Sequence, residues 1–213
     1  MYMILELLNI IGIIAFTISG SLKGTNKGLD IFGVVTLGVI TSYAGGIIAD
    51  ILLGIYPPQI LKELNYLLLS VGISIFVFYF YKWLQTNPIK MIIAISDAVG
   101  LSTFATLGAS LAYSYGLNPI SVGLIAAIVG TGGGVIRDVL VNEIPMVLTK
   151  EIYATAALLS GFIYYFTTPY LHHDSLFVAF LGSFLLRILS IKYNFNLPKR
   201  EDNKSLEHHH HHH

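Results

Sequence analysis

Apolar runs long enough to cross a hydrocarbon core of roughly 30 Å recur seven times along the chain, at about 3–22, 31–54, 63–83, 91–113, 119–141, 151–168 and 174–193. Each predicts a transmembrane helix, because lipid offers no partners for unpaired backbone groups. The breaks between them fall at Lys23 to Lys27, Pro57-Pro58, Asn87-Pro88, Gly116 to Pro119, Pro145 and Pro169, positions rich in the residues that punctuate helices. Only the sixth run looks short. No hydrophilic stretch could fold separately, so the pattern predicts one all-α membrane domain over residues 1–198 and a disordered, charged tail over 199–213.

The runs are not independent. Residues 12–63 repeat without a gap, at a constant offset of 88, in residues 100–151, with fifteen of 52 aligned positions identical; roughly a tenth would be expected by chance in so apolar a chain. The identities include Gly12/Gly100, Phe16/Phe104, Gly20/Gly108, Gly45/Gly133, Gly46/Gly134, Asp50/Asp138, Pro57/Pro145, Lys62/Lys150 and Glu63/Glu151. The first copy covers about 3–85 and the second about 91–170. Three helices per copy is an odd number, so helices 1–3 and 4–6 are expected to insert with opposite topology, with helix 7 outside the repeat.

Composition agrees with the pattern. The chain is 54% hydrophobic and 11% charged, with a mean hydropathy of +0.72, too few charges to cover a water-soluble surface. Leu206 to His213 read as an expression tag, which leaves His172 and His173 as native histidines and removes most apparent support for metal chemistry. Without the tag, twelve basic residues face eleven acidic ones, which gives no electrostatic case for nucleic acid as a partner. Zero cysteines exclude disulfide and thiolate chemistry. No hydrolase, nucleotide-binding or redox motif is present, so an enzyme is not expected. Membrane lipid is the expected surrounding, with no resident cofactor. Glu6 in place of a basic leader marks the first run as a retained helix rather than a signal peptide. Lys23, Lys27, Lys82, Lys90, Arg137, Lys150 and the basic residues after helix 7 flank alternate connections, which predicts an outside N-terminus and an inside C-terminus.

Within the spans, two features stand out. Gly45-Gly46 and Gly132-Gly133-Gly134 lie near the middle of helices 2 and 5, where each glycine costs about 1 kcal/mol of helix propensity relative to alanine. Close packing needs one glycine per turn, not a run. The runs therefore point to a kink or unwound turn, whose carbonyls could face a permeating ion. Intramembrane carboxylates are the second feature. Asp50 and Asp138 follow the glycines by about one turn, Arg137 precedes Asp138, and Asp97 lies in helix 4 opposite Asn9 of the first copy. A charge within a span is expensive and is by default a functional candidate. The plainer explanation is an Arg137–Asp50 or Arg137–Asp138 pair that locks helices 2 and 5. Arg137 aligns with Ala49, so the two copies are electrostatically unequal.

At GGGVIRD (Gly132 to Asp138), followed by Asn142 and Pro145 and preceded by the weaker copy AGGIIAD (Ala44 to Asp50), the chain resembles the trimeric intracellular cation channels in their prokaryotic branch. Such sequences have also carried a label as glycine transporters. The resemblance implies a homotrimer with one hourglass pore per protomer, kinks at Gly45, Gly46, Gly132, Gly133 and Gly134, and potassium or sodium as the permeating ions. It places the family's Arg-Asp pair on Arg137-Asp138. The basic lipid-binding motif of animal members is replaced here by Ile47-Ile48-Ala49-Asp50.

Two functions follow as expectations. One is a potassium-preferring cation channel in the plasma membrane, with Asp50, Asp97 and Asp138 attracting cations and Arg137 opposing their entry. The other is a secondary transporter for a small amino acid such as glycine, since inverted repeats with discontinuous helices also build alternating-access carriers.

Overall fold

The computed structural model describes residues 2–84 and 86–193. They form seven long helices: α1 (Tyr2–Asn26), α2 (Ile31–Leu52), α3 (Leu64–Phe80), α4 (Thr86–Ser114), α5 (Pro119–Leu140), α6 (Glu151–Leu171) and α7 (Ser175–Tyr193). The tail expected after residue 198 lies outside the described residues. By length and hydropathy six helical stretches can cross a membrane, and the last of them, Ile152–Tyr193, is a 42-residue run. It turns back at His172, whose φ of +50° ends α6, and α7 then packs along α6. Pro169 does not end the sixth helix as expected. It sits in the last turn, where a missing N–H removes a single ladder bond, and α6 reaches 21 residues.

Local chemistry repeats along with the sequence. The Asp30 carboxylate accepts from the Gly33 amide at 2.8 Å at the start of α2, and Asn118 accepts from the Ser121 amide at 2.9 Å at the start of α5. Both satisfy an orphan donor of a first helical turn. At the other ends, the Leu53 amide donates to the Ala49 carbonyl at 3.2 Å and the Val141 amide to Arg137 at 3.3 Å. The residue after each cap has positive φ, +77° at Gly54 and +61° at Asn142.

Packing repeats as well. α3 lies against α1 and α2 as α6 lies against α4 and α5, while α1 meets α4 and α2 meets α5 across the seam between copies. The rings of Phe16 and Phe104, equivalent residues, stack at 5.5 Å and 4° and are buried at the centre of the seam. A Cβ at Gly12 would stand 2.8 Å from Phe104, and one at Gly100 would stand 2.5 Å from Phe16. α7 breaks the symmetry by covering α4 and α6. As a result α4 is the most enclosed span, 67% buried, and α3 the least, 11% buried.

The glycine runs correct an expectation. α2 and α5 keep helical structure without interruption through Gly45-Gly46 and Gly132 to Gly134, so the unwound turn, and the freed carbonyls that would come with it, are not there. Close approach accounts for the glycines instead. A Cβ at Gly45 would lie 3.0 Å from the Val129 carbonyl oxygen, and one at Gly133 would lie 2.5 Å from the Thr41 carbonyl oxygen. Thr41 and Val129 are themselves equivalent in the repeat, so the two contacts are one contact made twice. Backbone-to-backbone packing of this kind offsets the propensity cost.

Candidate functional site

α1 supplies three stations along one line. Asn9 lies near its start, Phe16 in the middle, and Ser19 and Lys23 toward its end. α4 supplies the matching stations in reverse order, with Asp97 first, Phe104 in the middle and Leu111 last. The helices therefore run antiparallel past each other, and the rise of an α-helix puts Asn9 about 21 Å from Lys23.

At the Lys23 end the seam is filled by charge. Arg137 is fully buried; its Nη1 donates to Asp97 Oδ1 at 2.5 Å and to Ser19 Oγ at 3.1 Å, and its Nε donates to Asp138 Oδ1 at 2.9 Å. Lys23 Nζ lies 2.9 Å from the same Asp138 oxygen and 2.6 Å from Glu143 Oε2, and Lys27 Nζ lies 2.8 Å from Glu143 Oε1. The second Asp138 oxygen accepts from the Met146 amide at 3.0 Å, and Tyr153 donates its phenol proton to Asp97 Oδ1 at 3.0 Å. Six charges thus alternate in sign, Lys27, Glu143, Lys23, Asp138, Arg137 and Asp97, from half-exposed to fully buried. Breaking such a pair on one side leaves an uncompensated charge, which costs about 3–5 kcal/mol. Burial alone would raise the Glu143 carboxyl, but the ammonium groups of Lys23 and Lys27 outweigh it and hold it below its usual range. Gly134 makes room for the cluster: a Cβ there would press on the Tyr153 hydroxyl and stand 3.4 Å from Asp97 Oδ1 and from Arg137 Nη2.

At the Asn9 end the equivalent positions line a cavity of 450 Å³. Asn9 stands where Asp97 stands in the other copy, Ala49 for Arg137, Asp50 for Asp138, Leu111 for Lys23 and Gly46 for Gly134. Nothing lies within 4 Å of a Cβ built on Gly46. Asp50 keeps the backbone half of its counterpart's role, with Oδ2 accepting from the Gln59 amide at 2.8 Å. It forms no ion pair with a described residue. Glu6, Lys62 and Glu63 lie around the same cavity, and Phe104 and Val129 close its inner end.

Arg137, Asp138 and Asp97 are therefore brought together, and Asp50 is not among them. Of the two pairings weighed for Arg137, Asp138 is formed and Asp50 is replaced by Asp97. Gly134 borders the cluster and Gly46 the cavity, while Gly45, Gly132 and Gly133 serve packing between α2 and α5, with Gly132 against Ile48. Lys23, Lys27, Glu143 and Tyr153 were not singled out from sequence. A usable signal existed, because Lys23, Lys27, Arg137 and Glu143 align with Leu111, Tyr115, Ala49 and Ile55. Of the charged residues in the aligned repeat that lack a charged counterpart, only Asp30 is outside the cluster, and it caps α2.

Known proteins place the chain in a family. A family model described as "Glycine transporter" matches it twice, over residues 6–82 and 94–169, once per copy of the repeat. A membrane protein of Bacillus subtilis, YvgT, is 38% identical over 92% of this chain and 96% of its own length. An inner membrane protein of Escherichia coli K12, YadS, is 33% identical over 92% of this chain and 96% of its own. Among solved structures, one from work on conductance through TRIC cation channels is 40% identical, with a TM-score of 0.81 over 93% of this chain and 98% of that one. The TRIC trimeric intracellular cation channel orthologue from Rhodobacter sphaeroides is 34% identical, with a TM-score of 0.83 over 90% and 99%. With its seven helices, its repeated halves and its Arg137-Asp138 pair at the equivalent glycine run, the chain is a multi-pass membrane protein that belongs to the TRIC family, in its prokaryotic branch.

Proposed function

We propose that the protein is a cation channel, potassium-preferring, with one pore in each protomer of a homotrimer in the prokaryotic plasma membrane. The observation that carries this reading is the alignment of cavity, stacked phenylalanines and charge cluster along the α1–α4 seam. The path runs along that seam, its two halves inserted with opposite topology. Asp50, Glu6 and Glu63 outnumber Lys62 around the cavity, and low-dielectric walls focus such a field on entering cations. Permeation stops at Phe16 and Phe104 and again at Arg137, whose guanidinium fills the seam and repels cations.

The loop lysines orient the cluster end toward the cytoplasm and the cavity outward. Opening requires Arg137 to leave Asp97 or the whole cluster to tilt. One charge carried through the full field is worth about 2.3 kcal/mol per 100 mV, so Arg137 and Lys23 give modest voltage dependence. Reconstituted protein in planar bilayers under a potassium–sodium gradient should give unitary currents that reverse near the potassium equilibrium potential. Silent bilayers combined with saturable glycine uptake would favour the carrier, the reading suggested by the description of the family model. The uninterrupted α2 and α5 weigh against it, because carriers of the inverted-repeat type bind substrate at broken helices.

A further inference from the structure

α7 stands outside the repeat, and conduction along the α1–α4 seam makes no use of it. Yet it carries the second buried arginine. Arg187 is 4% exposed and donates from Nη1 to Ser190 Oγ at 2.8 Å. Its guanidinium lies over the Tyr153 ring, with Cζ 5.2 Å from the centroid. Its Nε, though buried, has no hydrogen-bond partner among the described residues. At the hydroxyl end of the same side chain, the Tyr153 phenol is bonded to Asp97 Oδ1, and Asp97 Oδ2 is also buried without a partner among the described residues. A guanidinium and a carboxylate, opposite in charge and each with one unsatisfied atom, therefore belong to two side chains that contact the same tyrosine. Buried polar groups are rarely left in this condition, and each instance asks for a reason.

An exchange of partners supplies the reason. For the seam to open, the Arg137 guanidinium must withdraw from Asp97, and a buried carboxylate stripped of its cation is strongly destabilised. Among the described residues the other buried cations are Lys23 and Arg187, and Lys23 is already held by Asp138 and Glu143. We propose that Arg187 is the alternative counter-charge of Asp97: it waits behind Tyr153 while Arg137 holds the carboxylate, and it takes over Asp97 when Arg137 leaves. The handover rests on the channel reading and makes Arg187 a positioning residue of the open state, acting through Asp97 and Tyr153 rather than on the ion. Arginine suits the role because its flat guanidinium stacks on the ring and can still donate from its edge.

A double-mutant cycle tests the handover without any current. Arg137→Gln, Arg187→Gln and the double variant are compared by thermal unfolding of the purified full chain, in the wild type and in an Asp97→Asn background. If Arg187 rescues Asp97 when Arg137 is absent, Arg187→Gln alone shifts the midpoint little, the double variant loses more than the sum of the single losses, and this coupling disappears with Asp97→Asn. Additive losses, or coupling that survives Asp97→Asn, overturn the proposal. Should the double variant fail to fold, single-channel recording decides. Arg187→Gln should lower open probability by about tenfold at unchanged unitary current, and Arg187→Lys should restore much of it. Unchanged open probability in a conducting Arg187→Gln protein overturns the handover. A silent wild type overturns the channel reading and the open-state role with it, while the cycle still reports whether Arg187 reaches Asp97.

Discussion

At one end of the α1–α4 seam Asp138 is met by Arg137, Lys23 and the Met146 amide; at the other its counterpart Asp50 is met by the Gln59 amide and an open cavity. The backbone cradles are nearly the same. Both carboxylates end a helix of the same length, both follow a glycine pair, and both accept from an amide at the start of the next short helical turn. What differs is the side chains that point into the cradle: Ala49 where Arg137 stands, Leu111 where Lys23 stands, Asn9 where Asp97 stands. On the channel reading proposed above, pseudo-symmetry thus builds two equivalent mouths, and a few unmatched charges fill one of them.

The strongest way to break the contrast is to make the mouths alike. Ala49→Arg together with Asn9→Asp recreates the buried pair beside Asp50, and unitary current in bilayers should fall by about tenfold or more, since a fixed charge in the path is costly to pass. The converse change is Arg137→Ala, which takes from Asp97 and Asp138 the guanidinium they share. It should cost at most about 3–5 kcal/mol of stability, the more so when Arg187→Gln is added, read as a lower unfolding midpoint, and raise open probability. A smaller effect on opening is expected between the mouths. Phe104→Ala widens the centre, costs about 3–5 kcal/mol at most for a buried phenylalanine, and should raise unitary current while leaving opening to the cluster.

The gentlest change acts on Glu143. Its carboxyl lies below the usual range in the folded protein because Lys23 and Lys27 outweigh burial, so its contribution is present above the ordinary value of about 4.3 and is lost as pH falls through the lower folded value. Acidifying the cluster side below about pH 4 should loosen the outer clamp and raise open probability modestly. Glu143→Gln should show the looser behaviour at neutral pH and lose that response. A flat profile in the wild type would remove Glu143 from the clamp.

Helix number, the repeat and the identity of Arg137, Asp138 and Asp97 were legible in the sequence, because length, hydropathy and intramembrane charge each have a direct cost in lipid. Two things were not. Glycine runs point locally to an unwound turn, since packing needs only one glycine per turn, and only the carbonyls of Thr41 and Val129, supplied by the other copy, decide for packing. Lys23 sits in the last turn of α1 and reads locally as an interfacial residue; its carboxylates, Asp138 and Glu143, lie more than a hundred residues away in the chain. The break at Pro169 failed for a local reason, its place in the final turn of α6. Tyr153 gave no signal at all, being one apolar-looking residue in an apolar helix.

The central claim is that one mouth is open to water while the other is shut by the cluster, and the absence of cysteine from the chain makes it directly measurable. Asn9→Cys and Ser19→Cys place single thiols on α1 on either side of Phe16, to be titrated with a membrane-impermeant thiol reagent added to each face of reconstituted protein. The account predicts that the thiol at position 9 reacts readily from the cavity side, and that the thiol at position 19 reacts about tenfold more slowly or worse from either side until Arg137→Ala is added. Equal rates at the two positions in the protein that retains Arg137 would contradict it.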